Sequence, residues 1–274
     1  MNQATVKAAP LGVAVCVLVA ACATRERAPS HSPRGTPAAV PSEPERPAPP
    51  AASLVTAAPP APVRTPEAVT LVELAPGLRV DARRGIVEID GKVPIEANAG
   101  DVVYLETLVC TQDSKEHESL VVTPVKPSAV HTAILLAGAQ PGTPGSWRFE
   151  GQRVVGVEPT GPAVEVMVRV RGRDDAPLAS WVRDQKTGAA LADQYPGTRW
   201  VFGGSAFVTR AGNRLYGADL EGSIVGLATF GSETVGWSRV YSPDSSVDEP
   251  HLAATPGLTP PADTPVTVVL RVAR

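Results

Sequence analysis

Apolar and polar residues alternate with a period of two in one segment of the C-terminal part of this chain, and apolar runs fill several others. Valines occupy every second position of 164–170, with Glu165, Met167 and Arg169 between them, and 265–272 is rich in β-branched residues. These patterns are typical of half-buried and buried β-strands. Apolar runs between turn residues predict further strands at 86–89, 92–95, 102–110, 118–123, 179–182, 206–209, 215–218 and 223–229.

Turn residues suggest how some of these strands pair. Asp90-Gly91 lies between two short apolar segments. Such a dipeptide favours a tight hairpin, because both of its residues tolerate positive φ. We also expect 102–110 and 118–123 to pair in antiparallel fashion, with 112–115 as the turn.

One segment has the period of a helix. Val130, Ile134 and Ala137 recur at spacings of four and three, Pro127-Ser128 offers an N-cap, and Gly138 offers a stop. We predict one clear helix at about 128–138. The fold class is therefore α+β, with a mainly antiparallel β-sheet.

The first residues have the organisation of an export signal. Lys7 precedes an apolar run at 11–21, and Cys22 follows two alanines. The run is shorter than the roughly 20 residues that span a bilayer. This resembles the bacterial lipobox, which implies a lipoprotein signal peptide at 1–21, palmitate-type acylation of Cys22, and export to the cell envelope. The alternative is an ordinary secretory signal in which Cys22 has no role.

A tether follows the signal. Residues 23–66 contain 12 prolines among 44 residues and no Phe, Trp or Tyr. Proline prevents helix and sheet from propagating, and few apolar groups are present to form a core. We predict a disordered Pro/Ala-rich linker over 22–66, with a maximum reach on the order of 100 Å.

The remaining residues, 67–274, are predicted to form a single domain. They contain 19 Lys and Arg against 25 Asp and Glu, with no basic run. This acidic balance argues against nucleic-acid binding as the function. Cys110 is the only cysteine after Cys22, so no disulfide is expected within the domain.

The residues that could carry chemistry are Cys110, His117, Glu118 and His131. If the predicted strands pair and the helix packs on them, these side chains could bind a single zinc or iron ion. The same arrangement would allow Cys110 to act as a nucleophile activated by His117. Their spacing matches no standard metal motif. A buried strand thiol, a solvated turn and a core or capping histidine are the structural alternatives.

Several segments together resemble the YdjY-domain proteins, which are frequent in planctomycete-type bacteria. The resemblance covers about 70–272, and its most specific element is Lys115-Glu116-His117-Glu118-Ser119 followed by a helix that contains histidine. The other segments are 72–81, 106–111, 127–139, 181–184 and 200–205. The family implies no established activity. Some members accompany Fe–S modules, but this chain lacks the cysteine clusters that such a cofactor requires.

These observations favour a membrane-anchored envelope lipoprotein that presents a binding or scaffolding domain to an envelope protein partner. The alternative is a metal- or thiol-dependent envelope enzyme, or a redox accessory protein, that uses Cys110, His117 and His131. No cofactor is predicted other than that single zinc or iron ion.

Overall fold

The computed structural model describes residues 70–273. The predicted signal peptide, the acceptor Cys22 and the Pro/Ala-rich linker lie outside the described residues. The described part belongs to one compact unit, Val63–Arg274. None of its helices is long and apolar enough to cross a membrane.

Strands dominate residues 70–273. The α-helices are α1 (Pro127–Leu136), α2 (Leu191–Gln194) and α3 (Gly217–Glu221), and Glu116–Glu118 and Leu178–Trp181 form 3₁₀ helices. The strands are β1 (Val72–Ala75), β2 (Leu78–Asp81), β3 (Ile86–Lys92), β4 (Thr107–Thr111), β5 (Ser119–Thr123), β6 (Ser146–Glu150), β7 (Arg153–Val157), β8 (Ala163–Val170), β9 (Ala176–Pro177), β10 (Val182–Asp184), β11 (Trp200–Val201), β12 (Phe207–Arg210), β13 (Asn213–Tyr216), β14 (Ser223–Gly226), β15 (Val235–Trp237), β16 (Leu252–Ala254) and β17 (Pro265–Val272).

Eight strands form a closed sheet in the order β3-β17-β8-β11-β15-β14-β4-β5, and β5 pairs again with β3. The pairs β4–β5 and β14–β15 are parallel, and the other pairs of this ring are antiparallel. β1 and β2 extend the sheet outward from β3. A mainly β domain with few helices is therefore confirmed, but the sheet is closed.

The two best-patterned strands lie at the centre of this sheet. β17 pairs with β3 on one side and β8 on the other, so that Ile89, Val268 and Val168 form one row across three strands. All three side chains are buried. Both strands were predicted correctly, because alternating and β-branched residues suit strands that bury one face.

The predicted hairpin at Asp90-Gly91 is wrong. β3 continues through both residues, and its last residue, Lys92, pairs with Val122 of β5. A Cβ added at Gly91 would lie 2.6 Å from the carbonyl oxygen of Val122. The glycine is therefore needed for close approach of two backbones where the sheet closes, rather than for a turn.

The predicted antiparallel pairing of 102–110 with 118–123 is also wrong. β4 and β5 are parallel, with Thr107 opposite Ser119 and Thr111 opposite Thr123. The chain returns to the start of β4 through a short crossover that contains the 3₁₀ helix Glu116–Glu118. A crossover this short is unusual between parallel strands, which is why the sequence favoured a hairpin.

The predicted helix is present as α1. It begins at Pro127, where the fixed φ of proline suits a first helical residue, and Gly138 follows its end with a φ of 101°. Asp219 of α3 accepts a hydrogen bond from the backbone N–H of Ser128, at 2.8 Å. This bond satisfies one of the free donors at the start of α1.

One other predicted strand, at 179–182, is instead mostly a 3₁₀ helix. Leu178–Trp181 forms that helix, and strand β10 begins only at Val182. Both Leu178 and Trp181 are buried. The apolar residues of this segment therefore reflect burial of the 3₁₀ helix and not a β-strand.

Candidate functional site

A small cleft of about 70 Å³ lies beside the starts of β4 and β5. We call it the Glu106 cleft. Its walls are Tyr104, Leu105, Glu106, Glu118, Tyr241, Ser242, Pro243 and Pro250. Two carboxyl groups and two phenol rings thus share one small space, which distinguishes it from the larger open grooves on the sheet surface.

The parallel pairing of β4 and β5 brings the two carboxyl groups together. Glu106 precedes β4 and Glu118 precedes β5, and the N–H of Glu106 donates to the carbonyl oxygen of Glu118 at 3.0 Å. The carbonyl of Glu106 accepts from the N–H groups of Leu227 and Ala228, at 2.9 and 2.8 Å. Backbone bonds on both sides therefore fix the position of Glu106.

The charge of this pair is partly balanced by a lysine. Burial, then the hydrogen bond and charge of Glu118, raise the pKa of the Glu106 carboxyl above its ordinary value. Lys115 Nζ lies 3.3 Å from Glu106 Oε2 and 4.2 Å from the centre of the Phe230 ring. Besides burial, the hydrogen bond and negative charge of Glu118 therefore disfavour ionisation of Glu106, while Lys115 favours it.

Tyr241 connects the cleft to a second polar cluster. Its ring meets that of His251 edge-on at 5.0 Å, and its hydroxyl lies 3.4 Å from the backbone N–H of His251. His251 Nε2 lies 3.0 Å from the hydroxyl of Tyr195, which is in turn 3.4 Å from Asp184 Oδ2. Burial is the main cause that raises the pKa of both tyrosines, so their hydroxyls remain protonated donors.

One family model matches this chain, over residues 78–271, and it describes a YdjY domain. The chain belongs to the YdjY-domain family. No curated protein and no solved structure matches it. The segments that carry the resemblance at 106–111 and 115–119 meet at the Glu106 cleft.

His131 occupies a different part of the YdjY domain. Its Nδ1 lies 2.8 Å from the hydroxyl of Tyr216, and its ring packs edge-on against Phe202 at 4.9 Å. Burial lowers the pKa of His131 and is the first cause that raises the pKa of Tyr216, to about 12. Both groups are therefore neutral near pH 7 and form a paired polar contact between α1 and β13.

Cys110 and His117 face different environments. Cys110 is fully buried in β4, and burial raises the pKa of its thiol despite hydrogen bonds with Ser119 and Ser114. The side chain of His117 is 76% exposed, and its Nε2 lies 3.2 Å from Glu118 Oε1. The hydrogen-bond partners of the thiol are thus Ser119, Ser114 and the backbone of Lys115, while the imidazole lies at the surface beside the cleft.

Within residues 70–273, no group of three or more His, Cys, Asp or Glu side chains is arranged to hold a metal ion. Of the predicted site residues, Glu118 alone lines the Glu106 cleft. The zinc or iron site stays a prediction from the sequence.

Sequence reasoning missed three residues of this region: Glu106, Tyr241 and His251. Glu106 stands within an otherwise apolar predicted strand, and a charged residue in that position was a usable signal. Tyr241 and His251 lie in loops without periodicity. Only the tertiary fold brings them near the other polar groups.

Proposed function

We propose that this protein is a lipid-anchored envelope protein whose YdjY domain binds a protein partner at the Glu106 cleft. The lipid on Cys22 holds the chain to the membrane, and the Pro/Ala-rich linker lets the domain extend away from it. The role is binding rather than catalysis. The main support for this binding site is that Glu106 and Glu118 lie together beside Lys115 at the Glu106 cleft.

The cleft offers several hydrogen-bonding groups in a fixed arrangement. Glu118 and Glu106 supply acceptors, Lys115 supplies an ammonium donor, and the Tyr241 hydroxyl is kept protonated by burial. Tyrosine walls suit a partner side chain that has both an apolar body and a polar end. Specific binding needs such convergent polar groups within an apolar boundary.

The anchor is supported by the sequence. A basic residue, a short apolar run and a cysteine after two alanines occur in the order that lipoprotein signals use. Each buried CH₂ of an acyl chain contributes about 0.8 kcal/mol, so more than one chain gives stable attachment. The linker then gives the domain access to partners at a distance from the bilayer.

Site-specific cross-linking in cells tests the binding site. A photo-reactive amino acid replaces Tyr104, whose side chain is 42% exposed at the cleft, or Leu258, which is 51% exposed elsewhere. We expect a discrete adduct from position 104 and none of the same mass from position 258. The adduct should be lost when Glu106→Gln and Glu118→Gln are added. An adduct that is independent of both glutamates, or equal from both positions, would refute the site.

A further inference from the structure

Two β-hairpins stand outside the closed sheet. β6–β7 and β12–β13 each form a separate two-stranded sheet. The first is attached at its base, where Trp147 Nε1 donates to the carbonyl oxygen of Thr229 at 2.7 Å. The second is attached at its base, where the hydroxyl of Tyr216 lies 2.8 Å from His131 Nδ1 and 3.2 Å from Thr234 Oγ1. Beyond these attachments, most of the strand residues are exposed.

Large apolar side chains are exposed on both hairpins. Phe149 is 79% exposed and stands opposite Val154, which is 53% exposed. In the other hairpin Phe207 is 54% exposed, and Val208 is 39% exposed. Single exposed apolar residues are ordinary, but two exposed phenylalanines, each with an exposed valine on the same hairpin, mark an interaction surface.

The charge of the hairpins differs from that of the domain. Residues 146–157 and 207–216 contain four arginines and one glutamate, whereas 67–274 as a whole contains 19 basic and 25 acidic residues. The guanidinium of Arg214 lies 4.1 Å from the centre of the Phe207 ring. Arginine beside an exposed aromatic ring suits a boundary between charged headgroups and an apolar layer.

We propose that these two hairpins bind the surface of a bilayer that contains anionic lipids. Arg153 and Arg210 meet the lipid phosphates, and Phe149 and Phe207 enter the apolar boundary. The inference extends the proposed lipid anchor, because an anchored linker limits how far the domain can move from the bilayer and raises its local concentration there. It does not depend on the anchor for its chemistry.

The test uses residues 23–274, the mature chain without its acceptor cysteine. The core and the sheet hydrogen bonds lie within this range, so the protein folds without the signal peptide. Binding is measured by co-sedimentation with vesicles of phosphatidylcholine alone, or with about one third phosphatidylglycerol. We expect binding to the anionic vesicles, weakened by added salt, and little binding to phosphatidylcholine alone.

Matched variants test the surface itself. Arg153→Gln with Arg210→Gln should lower the partition coefficient about 10- to 30-fold, since each arginine near an anionic surface contributes about fivefold. Phe149→Ser with Phe207→Ser should lower it by a similar factor, and the corresponding leucine substitutions should retain most of the binding.

Two exposed positions elsewhere serve as controls. Arg173→Gln and Val247→Ser should bind as the parent does, and thermal unfolding confirms that every variant is folded. No binding of the parent to anionic vesicles, equal binding to phosphatidylcholine alone, or full binding by the folded hairpin variants would overturn the proposal. Because this range lacks Cys22, a negative result with vesicles would not contradict the lipid anchor. Likewise, loss of acylation in cells would not contradict the hairpin proposal.

Discussion

At the scale of single residues, the notable feature is a pair of carboxyl groups that share a confined space. Glu106 and Glu118 lie at the starts of two parallel strands, with Lys115 3.3 Å from Glu106. The cost of ionising Glu106 beside Glu118 in this confined space is partly offset by the charge of Lys115. The arrangement gives the cleft both donors and acceptors near neutral pH.

Replacing Glu106 by glutamine should change how stability depends on pH. Burial first, and then Glu118, raise the pKa of Glu106 above 4.5, so between 4.5 and that raised pKa the folded state binds more protons than the unfolded state. The free energy of unfolding of the parent therefore falls as pH rises through this window. Glu106→Gln removes this loss, so urea denaturation should show that the variant's free energy of unfolding rises relative to the parent's as the pH increases above 4.5.

The exposed residue Glu221 provides the control for this titration. Glu221→Gln changes the same functional group at the exposed surface of α3 and is measured beside Glu106→Gln. A constant difference between Glu106→Gln and the parent at every pH would contradict the assigned titration of Glu106.

The buried thiol gives a second prediction at this scale. In residues 23–274, Cys110 is the one cysteine, and it is fully buried with a raised pKa. Its reaction with a disulfide reagent should be at least about 100-fold slower in the native protein than in denaturant, because the structure must first open. Rapid native reaction would instead indicate an accessible thiolate and favour the thiol-enzyme alternative.

At the scale of elements, local pattern predicted the strongly patterned strands, missed β1, β2, β6, β7, β9, β15 and β16, and predicted pairing poorly. β8 and α1 were predicted from their internal period, and β17 from its β-branched residues. The Asp90-Gly91 hairpin was wrong, because a dipeptide that suits a turn also suits a tight backbone contact. Whether two strands are parallel depends on the path of their connection, which hydrophobic period does not encode.

Gly91 is a specific test of sheet closure. A methyl group there would lie 2.6 Å from the carbonyl oxygen of Val122 and 2.7 Å from Val121 Cγ1. Gly91→Ala should therefore lower the free energy of unfolding by about 1–3 kcal/mol, as measured by chemical denaturation. The neighbouring Lys92→Ala removes a solvent-exposed ion pair with Asp263 and should cost no more than about 1 kcal/mol. Equal effects of the two changes would contradict the close contact between β3 and β5.

At the scale of the whole molecule, the closed sheet explains why the candidate site could be predicted only in part. Glu118 was singled out from its motif, but its pairing with Glu106, 12 positions earlier, became visible only with the crossover in place. Cys110 and His117 were grouped by proximity in sequence, yet one is buried in a strand and the other lies at the surface. Burial and side-chain direction therefore determined which of the predicted site residues lie at the cleft.

The molecule combines a compact domain with a sequence signal for attachment, and this combination is the basis of the proposed function. The mature chain would consist of a lipidated cysteine, a proline-rich spacer and the YdjY domain. In the proposed function the domain works on a tether, so that its binding at the cleft would depend on local concentration as well as on affinity.

Metabolic labelling with palmitate, followed by membrane fractionation, tests this central claim most directly. The parent and Cys110→Ser should both be labelled and recovered with membranes. Cys22→Ser should lose the label and be released from the membrane fraction, because only position 22 follows the lipobox-like segment. Persistent labelling of Cys22→Ser, or an unlabelled parent, would contradict the account.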